Sequence, residues 1–172
     1  MNGHLFLVGF MGAGKSSVGR LVAGRLGLSF VDLDERIEAR EGTPVAELFR
    51  RDGEQAFRVL ETDALQALST EDPSVVACGG GIIVLDENRR ALKRLGRVVY
   101  LVVDAAEALA RIGDTATRPL LSGPSGTMAA TSLLGARKSL YAAVADVTVD
   151  TVGRTAEEVA DLVIAATGGE EV

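Results

Sequence analysis

The segment Gly9–Ser16, with the sequence Gly-Phe-Met-Gly-Ala-Gly-Lys-Ser, constrains the fold of this chain more than any other feature. A glycine, four free positions and then Gly-Lys-Ser is the pattern of a loop that binds nucleotide phosphates. An apolar run at residues 4–8 precedes it, and a helical pattern with apolar residues at positions 18, 21, 22 and 26 follows. The order of strand, glycine-rich loop and helix is the context that such a loop requires. The sequence therefore predicts a phosphate site in an α/β fold.

The chemistry of the loop follows from its residue types. Glycines let the backbone turn its N–H groups toward an anion, and the N-terminus of the following helix adds a partial positive charge. Lys15 suits the β- and γ-phosphates, and the Ser16 hydroxyl suits Mg²⁺, a cation that prefers oxygen ligands. The residues expected to contact the nucleotide are Gly12, Ala13, Gly14, Lys15, Ser16 and Ser17.

The rest of the chain alternates strand and helix patterns. Strands are predicted at 4–8, 29–32, 75–78, 97–103 and 147–150, and helices at 34–41, 44–51, 54–69 and 129–144. This alternation predicts a five-stranded parallel sheet with helices on both faces. One domain is expected to span residues 1–172, with a helical insertion at about 33–61.

Several short signals predict where elements begin and end. Gly27 is expected to cap the first helix, and Thr43 to be an N-cap with Pro44 at the first helical position. Asp104 with Glu107 and Thr155 with Glu158 have the spacing of capping boxes. Residues 113–127 are rich in Gly, Pro, Ser and Thr, which predicts a long mobile loop.

Composition excludes several classes of protein. The net charge of −6 disfavours binding to nucleic acid and to anionic membrane surfaces. No apolar run is long enough to span a bilayer and no signal peptide is visible, so a cytoplasmic monomer is expected. Cys78 is the single cysteine and His4 the single histidine, and both are predicted to be structural.

Two carboxylates stand at the carboxyl end of the second strand, where open α/β sheets bind ligands. Asp32 is the best candidate for a Mg²⁺ ligand beside Ser16, because strand 75–78 ends in Cys-Gly-Gly-Gly without an acidic residue. Asp34 has two possible roles, as a site residue or as the N-cap of the helix that follows. Strand alternation would point the two carboxylates in the same direction.

Six short motifs in series resemble those of the shikimate kinase family. They are Gly9–Ser16, Asp32-Leu33-Asp34, Asp52-Gly53-Glu54 leading to Phe57-Arg58, Gly79-Gly80-Gly81, Arg118-Pro119-Leu120-Leu121, and Arg137 before Leu140-Tyr141. The resemblance implies a P-loop fold like that of the nucleoside monophosphate kinases, with strand order 2-3-1-4-5. It also implies transfer of the ATP γ-phosphoryl group to the 3-hydroxyl of shikimate, with Mg²⁺, in chorismate and aromatic amino acid biosynthesis.

The resemblance assigns roles to residues on the acceptor side. Asp34 would hold, or deprotonate, the substrate hydroxyl, and Arg58 and Arg137 would bind its carboxylate with planar, bidentate donors. The backbone at Gly80 and Gly81 would approach the ring. Phe49 and Phe57 would form a wall of the pocket, although their helical spacing suits core residues equally well.

On the nucleotide side, the resemblance implies a lid at about 112–127 that carries Arg118. This residue would join Lys15 and Asp34 as a catalytic residue by neutralising phosphate charge, and the alternative is a solvated loop arginine. Arg111 and Arg154 would lie near the adenine.

Two rival functions remain at this point. A gluconate kinase or nucleoside monophosphate kinase would share the loop and the lid, whereas Arg58 and Arg137 favour a carboxylate acceptor. A GTP-binding switch would normally carry an Asn-Lys-x-Asp motif, and none occurs in this sequence.

Overall fold

A parallel β-sheet forms the centre of the protein. The computed structural model describes residues 3–113 and 126–168. Its strands are β1 (His4–Val8), β2 (Ser29–Asp32), β3 (Ser74–Ala77), β4 (Gly96–Val102) and β5 (Val147–Asp150). Within the described residues they form one sheet in the order β2-β3-β1-β4-β5, with every pair parallel. The predicted fold class and the strand order 2-3-1-4-5 are confirmed.

Helices connect the strands. They are α1 (Lys15–Leu26), α2 (Leu33–Glu41), α3 (Val45–Ala67), α4 (Asp86–Leu95), α5 (Ala105–Ile112), α6 (Gly126–Val144) and α7 (Ala156–Thr167), with a short 3₁₀ helix at Leu68–Thr70. The helical insertion between β2 and β3 therefore consists of α2 and α3. No helix in the described ranges is long and apolar enough to cross a membrane.

The alternating side chains of β1 supply two hydrophobic cores, one on each face of the sheet. Phe6 and Val8 belong to the core that includes residues of α2, α3, α4 and α6. Leu5 and Leu7 belong to the core that includes residues of α1, α5 and α7. All five residues of β1 are buried, as expected for a strand covered on both faces.

The two residues predicted to be structural are buried beside the sheet. His4 lies at the start of β1, where its ring nitrogens contact Ser74 Oγ and the Leu68 carbonyl, both at 2.9 Å. Cys78 is buried after β3, and burial raises the pKa of its thiol well above the usual range. Both predictions are confirmed.

The structure corrects the predicted start of α3. Pro44, in extended conformation, is the N-cap, and Thr43 lies outside the helix. The Glu38 carboxylate accepts a hydrogen bond of 2.7 Å from Val45 N–H and so performs the capping that was predicted for Thr43. Gly53 interrupts α3 with φ 83° and ψ 172°, so the prediction of two consecutive helices is confirmed.

Other predicted boundaries are right to within a few residues. Gly27 caps α1 in the left-handed conformation, and Thr155 and Glu158 form the complete capping box of α7. Asp104 caps α5, whereas the Glu107 carboxylate accepts a hydrogen bond from Gly153 N–H, so this predicted box is only half formed. The last two residues of the predicted loop at 113–127 belong to α6, which begins at residue 126, and the predicted lid at about 112–127 overlaps α5 at residue 112 and α6 at the same two residues. The remainder of both predictions, 114–125, lies outside the described residues.

Candidate active site

The phosphate loop connects β1 to α1 at the carboxyl edge of the sheet. Gly12 and Gly14 have φ values of 79° and 87°, which residues with a side chain rarely adopt, and Gly14 is the N-cap of α1. The ammonium group of Lys15 donates hydrogen bonds to the carbonyls of Gly9 and Phe10, at 3.0 and 2.9 Å. The loop thus places a cation at the N-terminus of a helix, an arrangement suited to a phosphate group.

Ser16 and Asp32 lie together, as the Mg²⁺ prediction requires. Ser16 Oγ donates a hydrogen bond of 2.5 Å to Asp32 Oδ2, while Asp32 Oδ1 accepts hydrogen bonds from the N–H groups of Asp34 and Glu35. Asp32 is therefore the N-cap of α2, and the alternative reading of Asp34 as the cap is wrong. Strand alternation does not apply either, because β2 ends at Asp32 and Asp34 belongs to α2.

A cavity of about 560 Å³ extends from the phosphate loop to α3 and α6. Among the residues that line it are most of those predicted for the site: Gly12, Gly14, Lys15, Ser16, Ser17, Asp32, Asp34, Arg58, Gly80, Gly81 and Arg137. Ala13 is buried in the core beneath the loop. The fold therefore brings the nucleotide half and the acceptor half of the predicted site into one space.

Arg58 is buried between two acidic residues of its own helix. Its guanidinium group donates to the carboxylate of Glu61, one turn later, and to that of Glu54, one turn earlier, at 2.7 Å from the latter. Glu61 is only 1% exposed, and burial raises its pKa to about 7 against the opposing effect of Arg58. The arginine is thereby held in place before any ligand arrives.

Two aromatic rings lie beside this ion pair. Phe49 and Phe57 lie 4.6 Å apart between ring centroids, and the Arg58 guanidinium is 5.9 Å from the centroid of each ring. Both rings line the cavity, and Phe57 is also part of the core. Phe57 therefore serves both as a wall of the cavity and as a core residue, so the two predictions for it are compatible.

The turn after β3 approaches the charged residues closely because it lacks side chains. A Cβ on Gly79 would lie 2.5 Å from Glu61 Oε1 and 2.8 Å from Asp34 Oδ1. A Cβ on Gly81 would overlap the Arg58 guanidinium. The glycines at these two positions therefore provide the space that Asp34, Arg58 and Glu61 occupy.

The middle residue of this turn contacts α6. The Gly80 carbonyl accepts a hydrogen bond of 2.5 Å from the Tyr141 hydroxyl and one of 3.4 Å from Arg137 Nη1. Arg137 is 5% exposed and faces the same cavity as Arg58. Two guanidinium groups on different helices therefore meet one backbone turn at the acceptor end of the cavity.

The residues predicted to lie near the adenine are outside this cavity. Arg111 donates to the carbonyl of Gly12 at 3.3 Å, to the carbonyl of Thr151 at 2.6 Å, and to the Glu107 carboxylate. It therefore links the phosphate loop to the segment after β5. Arg154 is exposed in that segment, and Arg118 lies outside the described residues.

Comparison with known proteins identifies the family. A family model described as shikimate kinase matches residues 11–167. The chain belongs to the shikimate kinase family. The shikimate kinase of Streptomyces coelicolor is 47% identical over 156 residues, covering 90% of each chain. That of Geobacter metallireducens is 41% identical over 156 residues, covering 91% of this chain and 87% of the relative.

A solved structure gives the same result. The structure of shikimate kinase from Acinetobacter baumannii in complex with shikimate superposes with a TM-score of 0.93 at 36% identity, covering 99% of this chain and 96% of the other. As a member of the shikimate kinase family, the chain is an ATP-dependent kinase, a transferase of phosphoryl groups.

Sequence reasoning gave no role to two acidic residues of this shikimate kinase fold, one of which, Glu54, it named only as part of a motif. Glu54 and Glu61 stand four residues before and three residues after Arg58, which is the spacing of ion pairs on one helix face. That spacing was available in the sequence. The proximity of Glu61 to Gly79 was not, because it depends on how α3 lies against the turn after β3.

Proposed function

We propose that this chain transfers the γ-phosphoryl group of ATP to the 3-hydroxyl of shikimate, giving shikimate 3-phosphate and ADP for chorismate biosynthesis. The observation that carries the proposal is the single cavity that joins the Lys15 loop to the arginines 58 and 137. One end suits phosphates and the other suits a small carboxylic acid. Membership of the shikimate kinase family supports this choice of acid.

The nucleotide half of the cavity stabilises phosphate charge. The backbone N–H groups of the loop and the N-terminus of α1 would face the β- and γ-phosphates, and Lys15 would move from its own loop carbonyls to these oxygens. Phosphoryl transfer depends mainly on positioning and on charge stabilisation. Arg118 in the lid, and Arg111 and Arg154 near the adenine, are proposed to complete this half.

Ser16 and Asp32 are the residues that would hold Mg²⁺. The described residues contain no cluster of three or more His, Cys, Asp or Glu side chains that could bind a metal ion. A hydroxyl and a carboxylate fit Mg²⁺ nevertheless, because this ion commonly takes one or two protein ligands together with substrate phosphates and water. When bound, the ion would neutralise part of the phosphate charge.

The acceptor half positions the hydroxyl. Arg58, held by Glu61, and Arg137, held at Gly80, would bind the carboxylate of shikimate. Asp34 would hold the 3-hydroxyl in line with the γ-phosphate, either as an orienting acceptor or as a general base. The pH dependence of kcat in an Asp34→Asn variant separates these roles, because loss of an essential base removes the acidic limb of the profile.

The acceptor is tested by an ADP-release assay with shikimate, quinate, gluconate and nucleoside monophosphates, each with ATP or GTP. We expect turnover with ATP and shikimate. A preference for gluconate or for a nucleoside monophosphate would favour a different small-molecule kinase, and GTP hydrolysis without an acceptor would favour a nucleotide switch. The predicted cytoplasmic location and monomeric state remain predictions.

The role of the loop lysine is tested by Lys15→Met, for which we expect kcat to fall by about 10²–10³-fold because the charge of the transition state loses its cation. Lys93→Met is the matched control, since Lys93 is half exposed and pairs with Asp146. Normal turnover by the Lys15 variant, or equal loss in both variants, would contradict the proposed mechanism.

A further inference from the structure

Tyr141 is a buried tyrosine on α6 that lies behind the cavity. Its side chain is fully buried, and its hydroxyl donates a hydrogen bond of 2.5 Å to the carbonyl of Gly80. Burial raises the pKa of this hydroxyl well above its ordinary value, so it keeps its proton and remains a donor at any physiological pH. A buried phenol with a backbone partner on a distant turn has a defined orientation.

Gly80 stands between the two halves of the active site. A Cβ built on Gly80 would lie 3.5 Å from Met11 N, 3.6 Å from Gly9 O and 3.6 Å from Tyr141 Oη. The turn after β3 is therefore in contact with the phosphate loop on one side and with Tyr141 on the other. A shift of Gly80 would be transmitted directly to the distance between the phosphate loop and the acceptor residues.

The Gly80 carbonyl has a second donor on the same helix. Arg137, one turn before Tyr141, donates to it at 3.4 Å, which is a long hydrogen bond, whereas that of Tyr141 is short. Residues four apart lie on the same face of a helix, so both side chains of α6 reach the same peptide group. The tyrosine thus fixes an oxygen that also accepts a hydrogen bond from the Arg137 guanidinium.

The same contact orients the next residue. The carbonyl of one peptide group and the N–H that follows it point in opposite directions, so anchoring Gly80 O also sets the direction of Gly81 N–H. Gly81 in turn borders the Arg58 guanidinium, where a Cβ would overlap it. Both arginines of the acceptor end therefore border the Gly80–Gly81 segment that Tyr141 anchors.

We propose that Tyr141 is a positioning residue for the acceptor: its hydroxyl sets the Gly80–Gly81 turn, and through it Arg137 and Arg58, for binding the substrate carboxylate. This inference rests on the proposed function. The alternative is that Tyr141 only fills the core, where its ring stacks on Tyr100 with centroids 5.0 Å apart. The two accounts differ in what the hydroxyl does, because a phenylalanine preserves the ring.

The test compares Tyr141→Phe with Tyr100→Phe in the full chain. Each change removes one hydroxyl from the same stacked pair, but only the first removes the bond to Gly80. For Tyr141→Phe we expect KM for shikimate to rise about tenfold, the usual effect of one lost hydrogen bond, with KM for ATP changed less than about twofold. Tyr100→Phe should leave both constants within about twofold of the wild type.

A double variant identifies the route of the effect. If Tyr141 acts through the peptide that Arg137 shares, Tyr141→Phe should raise KM for shikimate much less in an Arg137→Ala background than in the wild type. Unchanged KM in Tyr141→Phe, an equal rise for ATP and shikimate, or full additivity with Arg137→Ala would overturn the inference. Absence of shikimate turnover in the wild type would instead overturn the proposed function, and the inference with it.

Discussion

At the scale of single residues, Gly81 is required for steric reasons that its position in the sequence does not reveal. The Arg58 guanidinium occupies the space that a Cβ at this position would need, and Glu61 and Glu54 hold the guanidinium there. A side chain at position 81 would therefore displace the Arg58 side chain first, because a side chain moves more easily than the backbone does.

We predict that Gly81→Ala raises KM for shikimate by about tenfold or more and leaves KM for ATP nearly unchanged, because the added methyl displaces Arg58 from its ion pair. Steady-state kinetics with each substrate varied in turn measures this. Gly135→Ala on α6 is the control, since a Cβ there meets no atom within 4 Å. A variant with normal KM for shikimate would show that Arg58 does not bind the acceptor.

Glu61 is predicted to make stability depend on pH. Burial raises the pKa of Glu61 in the folded state from 4.5 to about 7. Protonation of Glu61 therefore contributes fully to the free energy of unfolding below pH 4.5, and this contribution is lost as the pH rises through 7. At 1.36 kcal/mol per pKa unit, the free energy of unfolding of the wild type should fall by about 3 kcal/mol between pH 4.5 and pH 7, relative to that of Glu61→Gln. Urea unfolding of both proteins at pH 4.5, 6 and 8 measures the difference, and parallel curves would contradict it.

At the scale of secondary structure elements, the kink in α3 determines which residues face the cavity. Gly53 adopts φ 83° and ψ 172°, a conformation essentially restricted to glycine, and no atom lies within 4 Å of a Cβ built there. The demand on this residue is therefore conformational and not steric. The kink separates the segment with Phe49 from the segment with Arg58, both of which line the cavity.

We predict that Gly53→Ala destabilises the protein by about 1–3 kcal/mol, the cost of a strained backbone conformation, although the site has open space. Gly24→Ala in α1 is the matched control. It is also free of neighbours within 4 Å but has helical geometry, so it should stabilise the protein by about 0.5–1 kcal/mol. Chemical denaturation gives both values, and equal effects of the two changes would exclude a conformational role for Gly53.

Much of the fold could be predicted because local signals coincide with the global pattern. Gly27 and the Thr155–Glu158 box end and begin helices where the periodicity also changes. The prediction that Thr43 caps α3 is wrong because Val45 N–H donates to the carboxylate of Glu38, on the preceding helix. Contacts between elements of this kind leave no trace in local residue patterns.

The site could be predicted less completely than the fold. Lys15, Ser16 and Asp32 follow from one loop and one strand end, so their proximity was predictable from the parallel sheet alone. The anchoring of Gly80 by Tyr141 joins residues 61 positions apart, on elements whose relative placement the sequence pattern does not define. Glu107 was assigned to a capping box, but its carboxylate pairs with Arg111 on the same helix and accepts a hydrogen bond from Gly153 N–H, a contact between residues 46 positions apart.

At the scale of the whole molecule, the nucleotide half and the acceptor half of the cavity are formed by different helices and loops at the same edge of the sheet. Each of the two ligands should therefore stabilise the fold independently of the other. A ligand at 100 times its Kd adds about 2.7 kcal/mol to the free energy of unfolding, or about 5–10 °C in Tm for a chain of this size. We predict increases of this order for shikimate and for Mg·ATP, measured separately by thermal denaturation.

The assignment of the acceptor half predicts which increase a variant loses. Arg137→Ala should lose most of the increase in Tm with shikimate and keep the increase with Mg·ATP, because the arginine faces the acceptor end and donates to the Gly80 carbonyl. Lys138→Ala, at the next and exposed position of α6, should keep both increases. Loss of both in Arg137→Ala would mean that the residue supports the whole cavity, and loss of neither would remove it from the carboxylate site. Selective loss requires that the acid binds at the arginines while the nucleotide binds at the loop, which is the division of the cavity on which the proposed phosphoryl transfer depends.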